Sequence, residues 1–163
     1  MSDSSPQSSS EPLTPRNTPP STPEFTVQWA AGFVDGEACI HIAKQRYRTK
    51  RRDTYRLGIY LTQNDLNVLE HFRDGVGVAA PIYEVKRTRQ HRRQCYTLNY
   101  NGAKAMRVIS LLAPHLVRKR SEADAAEAFW TFGRIGERPG PKGLEPQVVE
   151  IREHFYKHLK QLK

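Results

Sequence analysis

The sequence predicts an α+β domain in which a single antiparallel sheet carries helices on one of its faces. Two pairs of segments alternate polar and apolar residues as strands do, and a segment with helical spacing separates the pairs. A helix-start signal precedes the first pair, and three segments with helical spacing follow the second. This order of helix, two strands, helix, two strands and then helices is typical of a sheet that is covered on one side only.

The first 22 residues differ in composition from the rest of the chain. They contain seven Ser and five Pro, and their only apolar residues are Met1 and Leu13. Such a segment cannot bury enough apolar surface to offset the entropy lost on ordering, so we expect residues 1–22 to form a disordered tail. Residues 23–163 are enough for one domain. We recognise no signal peptide and no apolar run long enough to cross a membrane, so we expect no membrane partner.

Local signals predict the first helix and the first pair of strands. Thr22-Pro23-Glu24 is a helix start, with a capping hydroxyl, a proline and an acid in the first turn. Gly36 is a natural stop, because glycine adopts conformations that other residues avoid. We therefore expect a helix over residues 23–35, followed by strands over 38–48 and 54–62.

The second half of the domain repeats the pattern. Asn64-Asp65 caps a helix that Gly75 closes, and strands follow over 82–88 and 93–100, the latter with alternating apolar and polar faces. Asn101 caps a helix that reaches residue 112. Two further helices are expected over 116–132 and about 148–162.

The net charge of the chain is +9, and most of the excess lies in the region of the predicted sheet. Residues 38–100 contain 13 Lys and Arg against 5 Asp and Glu. A basic surface of this kind favours a polyanionic partner, most often nucleic acid, and charge that serves only solubility is the alternative. With strands of about nine residues the sheet would be roughly 30 Å long. That length matches about nine base pairs of duplex.

The stretch "WAAGFVDGEACIHI", Trp29 to Ile42, places two carboxylates at the end of an apolar helix. Gly32 and Gly36 share one helix face, where their small size would let another helix approach closely. The alternative is that these glycines simply belong to a buried helix. Asp35 and Glu37 lie where helical carbonyl groups lack partners, and a carboxylate beside a free carbonyl suits a hard cation such as Mg²⁺. A solvated Asp-Gly-Glu turn is the alternative interpretation.

The segment "AAGFVDGEA", Ala30 to Ala38, resembles the LAGLIDADG motif of the homing endonucleases. The resemblance extends through the order of elements over residues 23–132 and implies an αββαββα core with a saddle-like, antiparallel DNA-binding sheet. The motif occurs once, which in this family implies a homodimer whose motif helices pack together on the two-fold axis. The dimer interface would contain Ala31, Gly32, Asp35 and Gly36. The chain departs from the family pattern at Ala30, Glu37 and Ala38, where the family usually has Leu, Asp and Gly.

The resemblance also assigns roles to individual residues. Glu37 would be the catalytic carboxylate, and it would bind a divalent metal ion together with the backbone carbonyl of Gly36. Gln63, in "LTQNDL", would order water near the scissile phosphate. In "PHLVRKRSEAD", Lys119 would be the active-site lysine, and the alignment leaves Arg118 and Arg120 as alternatives. The reaction implied is Mg²⁺-dependent hydrolysis of phosphodiesters, with one cut in each DNA strand.

Specificity would come from the uncovered face of the sheet, because a β-ribbon can enter the major groove of DNA. The strand residues that could reach base edges are His41, Gln45, Tyr47, Arg56, Tyr60, Arg93 and Thr97. The basic residues nearer the strand ends, which would contact phosphates, are Arg48, Arg51, Arg52, Arg89 and Arg92. For each of these residues, a solvated surface position is the alternative.

We therefore interpret the sequence as that of a homing endonuclease, a Mg²⁺-dependent enzyme that cuts double-stranded DNA at a long pseudo-palindromic site. Two alternatives use the same scaffold: an RNA maturase, whose partner would be intron RNA, and a non-catalytic DNA-binding regulator. A third is an unrelated basic α+β domain. Cys39 and Cys95 are too few for a disulfide framework, so we expect a reducing, intracellular compartment. A bacterial cytoplasm and an organelle are the two alternatives for that compartment.

Overall fold

A computed structural model of the chain describes residues 24–45, 53–86, 94–137 and 144–163. The described elements are α1 (Val27–Glu37), β1 (Ala38–Gln45), β2 (Thr54–Gln63), α2 (Leu66–Val76), β3 (Ile82–Val85), β4 (Cys95–Asn101), α3 (Ala103–Leu112), a 3-10 turn (Ala113–His115), α4 (Arg120–Phe132) and α5 (Pro146–Gln161). No helix among them is long and apolar enough to cross a membrane. The predicted tail lies outside the described residues, as do seven proposed DNA contacts: Tyr47, Arg48, Arg51, Arg52, Arg89, Arg92 and Arg93.

The strands form one antiparallel sheet in the order β1-β2-β4-β3. Along the pair of β1 and β2, Ala38 lies opposite Leu61 at one end and Gln45 lies opposite Thr54 at the other. On the other side of β2, Gly58 lies opposite Asn101 in β4. The predicted α+β class and the predicted order of helices and strands are thus confirmed.

The two faces of the sheet differ sharply in polarity. Ile40, Leu57, Leu61 and Leu98 have no exposed surface and form the centre of the core with the helices. Because successive side chains of a strand point to opposite sides, the residues between them lie on the other face. We call this uncovered side the open face: it carries the odd-numbered residues of β1 and β4 and the even-numbered residues of β2. The alternation predicted for the fourth strand is confirmed.

The first helix begins and ends later than predicted. Its cap is Thr26, whose hydroxyl accepts a backbone hydrogen bond from the first turn at 3.1 Å, and not Thr22. The helix continues through Gly36 to Glu37. It stops because Ala38 adopts the extended conformation of β1, with φ −82° and ψ 156°. The exit into the sheet, and not the glycine, therefore ends α1.

Three other helix ends also differ from the predictions. The second helix continues past Gly75 and is capped by Gly77, whose φ of 66° lies in the left-handed region that glycine tolerates. Asn101 belongs to β4, and the N-cap of α3 is Gly102, which has no side chain to cap with. The fourth helix begins at Arg120 instead of residue 116. The backbone N–H groups of residues 117–119, just before this helix, bind the carboxylate of Asp35 instead.

The last helix fixes the edge strand β1 through one carboxylate. Oε2 of Glu153 accepts hydrogen bonds from Nζ of Lys44 at 2.7 Å and from the hydroxyl of Tyr55 at 2.5 Å. Lys44 also pairs with Asp53 at 3.1 Å. Leu159, further along α5, is 2% exposed and joins the core. These contacts attach α5 to the two strands that carry most of the proposed base contacts.

Candidate active site

The C-terminus of α1 and the end of β2 lie at the same end of the sheet. The first strand starts directly after Glu37, and its first residue, Ala38, pairs with Leu61. Gln63, the last residue of β2, is two positions beyond that pair. The pairing ends at Ala38, where the chain leaves α1, so the C-terminus of α1 and the last two residues of β2 lie beyond the same end of the ladder. The fold thus brings Gln63 to the helix end that carries Glu37.

The carboxylate of Asp35 holds the segment that carries Lys119. It accepts backbone hydrogen bonds from Val117 at 2.8 Å, from Arg118 at 3.2 Å and from Lys119 at 2.8 Å. In return, Nη1 of Arg118 donates to the backbone carbonyl of Asp35 at 2.9 Å. These bonds tie the end of α1 to residues 117–119, which directly precede α4.

The surroundings of Asp35 favour its charged form. Burial opposes the charge and would raise the pKa, but the three backbone N–H donors and the positive charge of Lys119 lower the pKa of Asp35 below its ordinary value. The carboxylate is therefore ionised at neutral pH and does not serve as a proton donor. Its contacts identify it as a group that positions residues 117–119.

The structure separates Lys119 from its two alternatives. The guanidinium of Arg118 is bound to the carbonyl of Asp35, and that of Arg120 donates to Asp124 and to the carbonyl of Ala113, each at 2.8 Å. Lys119 is only 5% exposed, and its ammonium forms no ion pair with a described carboxylate. The charge of Asp35 acts on this largely buried ammonium from beyond ion-pair distance, so a ligand that brings further negative charge would suit it.

Glu37 and Gly36 offer oxygen ligands at the exposed end of α1. No described residue pairs with the carboxylate of Glu37, and no described group donates to the carbonyl of Gly36, whereas the carbonyl of Asp35 is taken by Arg118. A free carboxylate beside a free carbonyl fits a divalent cation that prefers oxygen. The described part of the chain has no cluster of three His, Cys, Asp or Glu side chains.

Gly32 and Gly36 leave an open strip along α1. A methyl group added to either residue would meet no atom within 4 Å. Ala31, in contrast, is 1% exposed and packs in the core of its own chain, which corrects the expectation that it contacts a partner. Asp35 is likewise engaged by its own chain. The strip available for the close approach of another helix consists of Gly32 and Gly36.

The proposed DNA contacts on the described strands all fall on the open face. These residues are His41, Gln45, Arg56, Tyr60 and Thr97. The rings of His41 and Tyr60 pack edge to face with their centroids 5.3 Å apart. The hydroxyls of Thr62 and Thr97 share a hydrogen bond at 2.9 Å. The face presents donors, acceptors and an aromatic ring, which are the groups that read the edges of bases.

Sequence reasoning considered Arg118 only as an alternative to Lys119, and it missed two further residues near these surfaces, Lys163 and Asn101. Arg118 binds the end of α1, and Nζ of Lys163 lies 2.8 Å from Sγ of Cys39 on the open face. No local signal could have found these contacts, because they join residues 83 and 124 positions apart. Asn101 continues the alternation of Thr97 and Asn99 onto the open face, and that signal was present in the sequence.

Solved structures of homing endonucleases share this fold. I-CvuI in complex with its target DNA and calcium matches with a TM-score of 0.68 and 18% identity, over 84% of this chain and 81% of its own. The archaeal intron-encoded I-Vdi141I complexed with DNA matches with a TM-score of 0.69 and 14% identity, over 84% of this chain and 83% of its own. I-TnaI matches with a TM-score of 0.61 and 21% identity, over 85% of this chain and 96% of its own. At these identities the likeness shows the fold alone. No curated protein sequence matches the chain significantly.

The sequence pattern of the LAGLIDADG endonuclease family matches residues 30–122, which is more than half of the chain. The matched range includes Glu37, Gln63 and Lys119, together with the Asp35 carboxylate that connects the first helix to the lysine segment. On this match, and on the fold that supports it, the chain belongs to the LAGLIDADG endonuclease family.

Proposed function

We propose that this chain is a sequence-specific endonuclease that cuts both strands of DNA as a homodimer. The observation that carries the proposal is the set of bonds from Asp35 to residues 117–119, which fixes the buried, unpaired Lys119 relative to the helix end that bears Glu37. A protein that only binds DNA needs neither a buried lysine that forms no ion pair with a described carboxylate nor a free carboxylate beside its basic sheet. Both are useful to an enzyme that hydrolyses a phosphodiester.

Glu37 and the carbonyl of Gly36 would hold a divalent metal ion, and we propose Mg²⁺. When bound, such an ion polarises the scissile phosphate and lowers the pKa of a bound water. The structures of I-CvuI with DNA were obtained in the presence of calcium or magnesium, which supports a divalent ion at the corresponding place in this chain. The exposed position of Glu37 leaves its carboxylate accessible to DNA from the open side of the sheet.

The other two residues act on the phosphate and on water. The amide of Gln63 would orient the attacking water through a hydrogen bond. The ammonium of Lys119 would stabilise the negative charge that develops on the phosphate in the transition state. Asp35 would touch neither the substrate nor the metal ion, and would act by holding the backbone of Lys119 in place.

Two copies of the chain are needed to cut both strands. One chain offers one free carboxylate and one free carbonyl, which together with water and phosphate oxygens could hold Mg²⁺ for one cut. The second cut would use the same groups of a second copy. The strip at Gly32 and Gly36 lets the α1 helices of two copies approach closely, which brings the two Glu37 carboxylates to the same region. A two-fold axis then implies a pseudo-palindromic site with one cut per strand. The resemblance suggests short 3′ overhangs.

A cleavage selection tests this proposal. The protein is incubated with a library of randomised duplexes in Mg²⁺, and the cut ends are sequenced. We expect one family of pseudo-palindromic sites with staggered cuts, no products in EDTA, and two chains per particle by sedimentation velocity. Specific binding without cleavage in Mg²⁺ or Mn²⁺ would contradict the nuclease and favour a DNA-binding regulator.

A further inference from the structure

A hollow lies at the end of the sheet away from Glu37, in a place that neither the family motif nor the proposed active site uses. Its volume is about 330 Å³, and its lining from the open face consists of Ala43, Gln45, Thr54, Arg56 and Asn101. Ala43 contributes only a methyl group to the bottom of the hollow, and the longer polar side chains surround it. This shape can admit the edge of a base.

Gly58, which lies next to this hollow in the sheet, leaves space that the side chains of Asn101 and His41 approach from its two neighbouring strands. Gly58 pairs with His41 on one side and with Asn101 on the other. A methyl group on Gly58 would lie 2.5 Å from Cε1 of His41 and 3.2 Å from Oδ1 of Asn101. The imidazole therefore lies across the β2 backbone, and the amide of Asn101 reaches the same space from the other strand.

The backbone of Asn101 is held in place while its side chain is free. The N–H of Gly102, the next residue, donates to the carbonyl of Leu57 at 2.8 Å and fixes the end of β4. Asn101 is exposed, and no described residue forms a hydrogen bond with its amide. The side chain does not cap α3. A rigid backbone with an unused amide is what direct base reading requires.

We propose that Asn101 reads an adenine in each half of the target site. The amide of asparagine offers one donor and one acceptor, which match N7 and the N6 amino group of adenine in the major groove. Arg56 lies roughly 7 Å along β2 from Gly58, or about two base steps. Its guanidinium suits guanine, so the adenine and a guanine should lie within about two base pairs of each other. This inference rests on the proposed function, because it assumes that the open face enters the groove.

The test is a binding selection, which does not depend on catalysis. The full chain and its variants are incubated with randomised duplexes in Ca²⁺, and the bound DNA is sequenced. In Asn101→Ala we expect the preference for adenine at one symmetric pair of positions to fall about tenfold, with the other positions unchanged. In Asn101→Asp the preference should move from adenine to cytosine, whose amino group a carboxylate accepts.

A matched control sharpens the result. Asn99→Ala removes the same amide two residues away on the same face, and it should leave the adenine positions intact.

The possible failures can be told apart. If the unmutated protein selects a defined site and both Asn101 variants select the same site unchanged, the assignment of Asn101 is overturned while the proposed function stands. If the unmutated protein binds DNA without any sequence preference, the proposed specificity fails and the assignment of Asn101 fails with it.

Discussion

At the scale of single residues, the carboxylate of Asp35 would serve the proposed active site without touching the substrate. Its two oxygens bind three consecutive backbone N–H groups, and the lowered pKa keeps them charged at neutral pH. The same N–H groups would otherwise lack partners, because they precede the first turn of α4. Asp35 thus has two effects: it stabilises the start of that helix, and it sets the position of the Lys119 backbone.

We predict that Asp35→Ala impairs both stability and cleavage. Three backbone donors lose their acceptor, so the free energy of unfolding should fall by about 1–3 kcal/mol. Cleavage should fall while DNA binding is retained, because the open face is untouched. Urea denaturation, cleavage assays and gel shifts measure these effects.

A matched control for this substitution is Asp74→Ala. Asp74 is exposed and pairs only with the neighbouring Arg73 among described residues, so its loss should change stability by less than about 0.5 kcal/mol. Wild-type cleavage by Asp35→Ala at temperatures well below its melting point would show that Asp35 does not position Lys119.

At the scale of elements, α5 is attached to the sheet by a small polar network. Hydrogen bonds from Lys44 and Tyr55 hold the pKa of Glu153 at about 2, well below its ordinary value, and the same contacts raise the pKa of Lys44. A carboxylate whose pKa is lowered by folding contributes stability above its ordinary pKa and loses it as the pH falls. For Glu153 the loss occurs between about pH 4.5 and about pH 2.

We predict that Glu153→Gln lowers the free energy of unfolding by about 1 kcal/mol at pH 7, because the network is partly exposed. The difference between the variant and the unmutated protein should shrink as the pH falls from about 4.5 toward 2. Urea titrations across this range measure it. Glu150→Gln, on the same helix at an exposed position, is the control and should show no such trend. A difference that stays constant with pH would contradict the assignment.

The element scale also shows what the sequence could and could not predict. The αββαββα order, the open face and the place of Glu37 follow from periodicity and from one motif, which are local properties. The start of α4 does not, because the N–H groups of residues 117–119 bind Asp35, more than 80 positions away in the chain. The capping signal at Thr22 was also wrong about the start of α1, because the hydroxyl of Thr26 caps this helix.

At the scale of the whole molecule, one chain is half of the proposed enzyme. The open face, the free ligands at the end of α1 and the strip at Gly32 and Gly36 all lie on surfaces that this chain does not cover. Pairing two copies through α1 would extend the sheet surface along the DNA and supply two sets of cleavage residues. Dimerisation and cleavage should therefore fail together.

We predict that Gly32→Leu folds normally but dimerises poorly. Apart from its own stretch of helix, nothing in the same chain lies within 4 Å of a Cβ atom at residue 32, and leucine favours helix, so the monomer should tolerate the substitution. Between two helices in close contact, the added bulk should weaken association at least about tenfold, a cost of about 1.4 kcal/mol. Sedimentation velocity across a concentration series measures it.

The control for added apolar bulk is Gln161→Leu, at the exposed end of α5. This variant should dimerise and cleave as the unmutated protein does. An unchanged dimer in Gly32→Leu would place the contact between the two copies elsewhere on the surface.

The most direct test compares cleavage with binding in Glu37→Gln, using the site that the unmutated protein selects. The amide keeps the size of the side chain but removes the charge that holds the metal ion. Cleavage in Mg²⁺ should fall at least about a hundredfold, and the affinity for the same duplex should stay within about twofold, since the substitution lies outside the strands. Glu24→Gln, an exposed carboxylate ahead of the same helix, should cleave normally. Undiminished cleavage by Glu37→Gln would contradict the proposed active site.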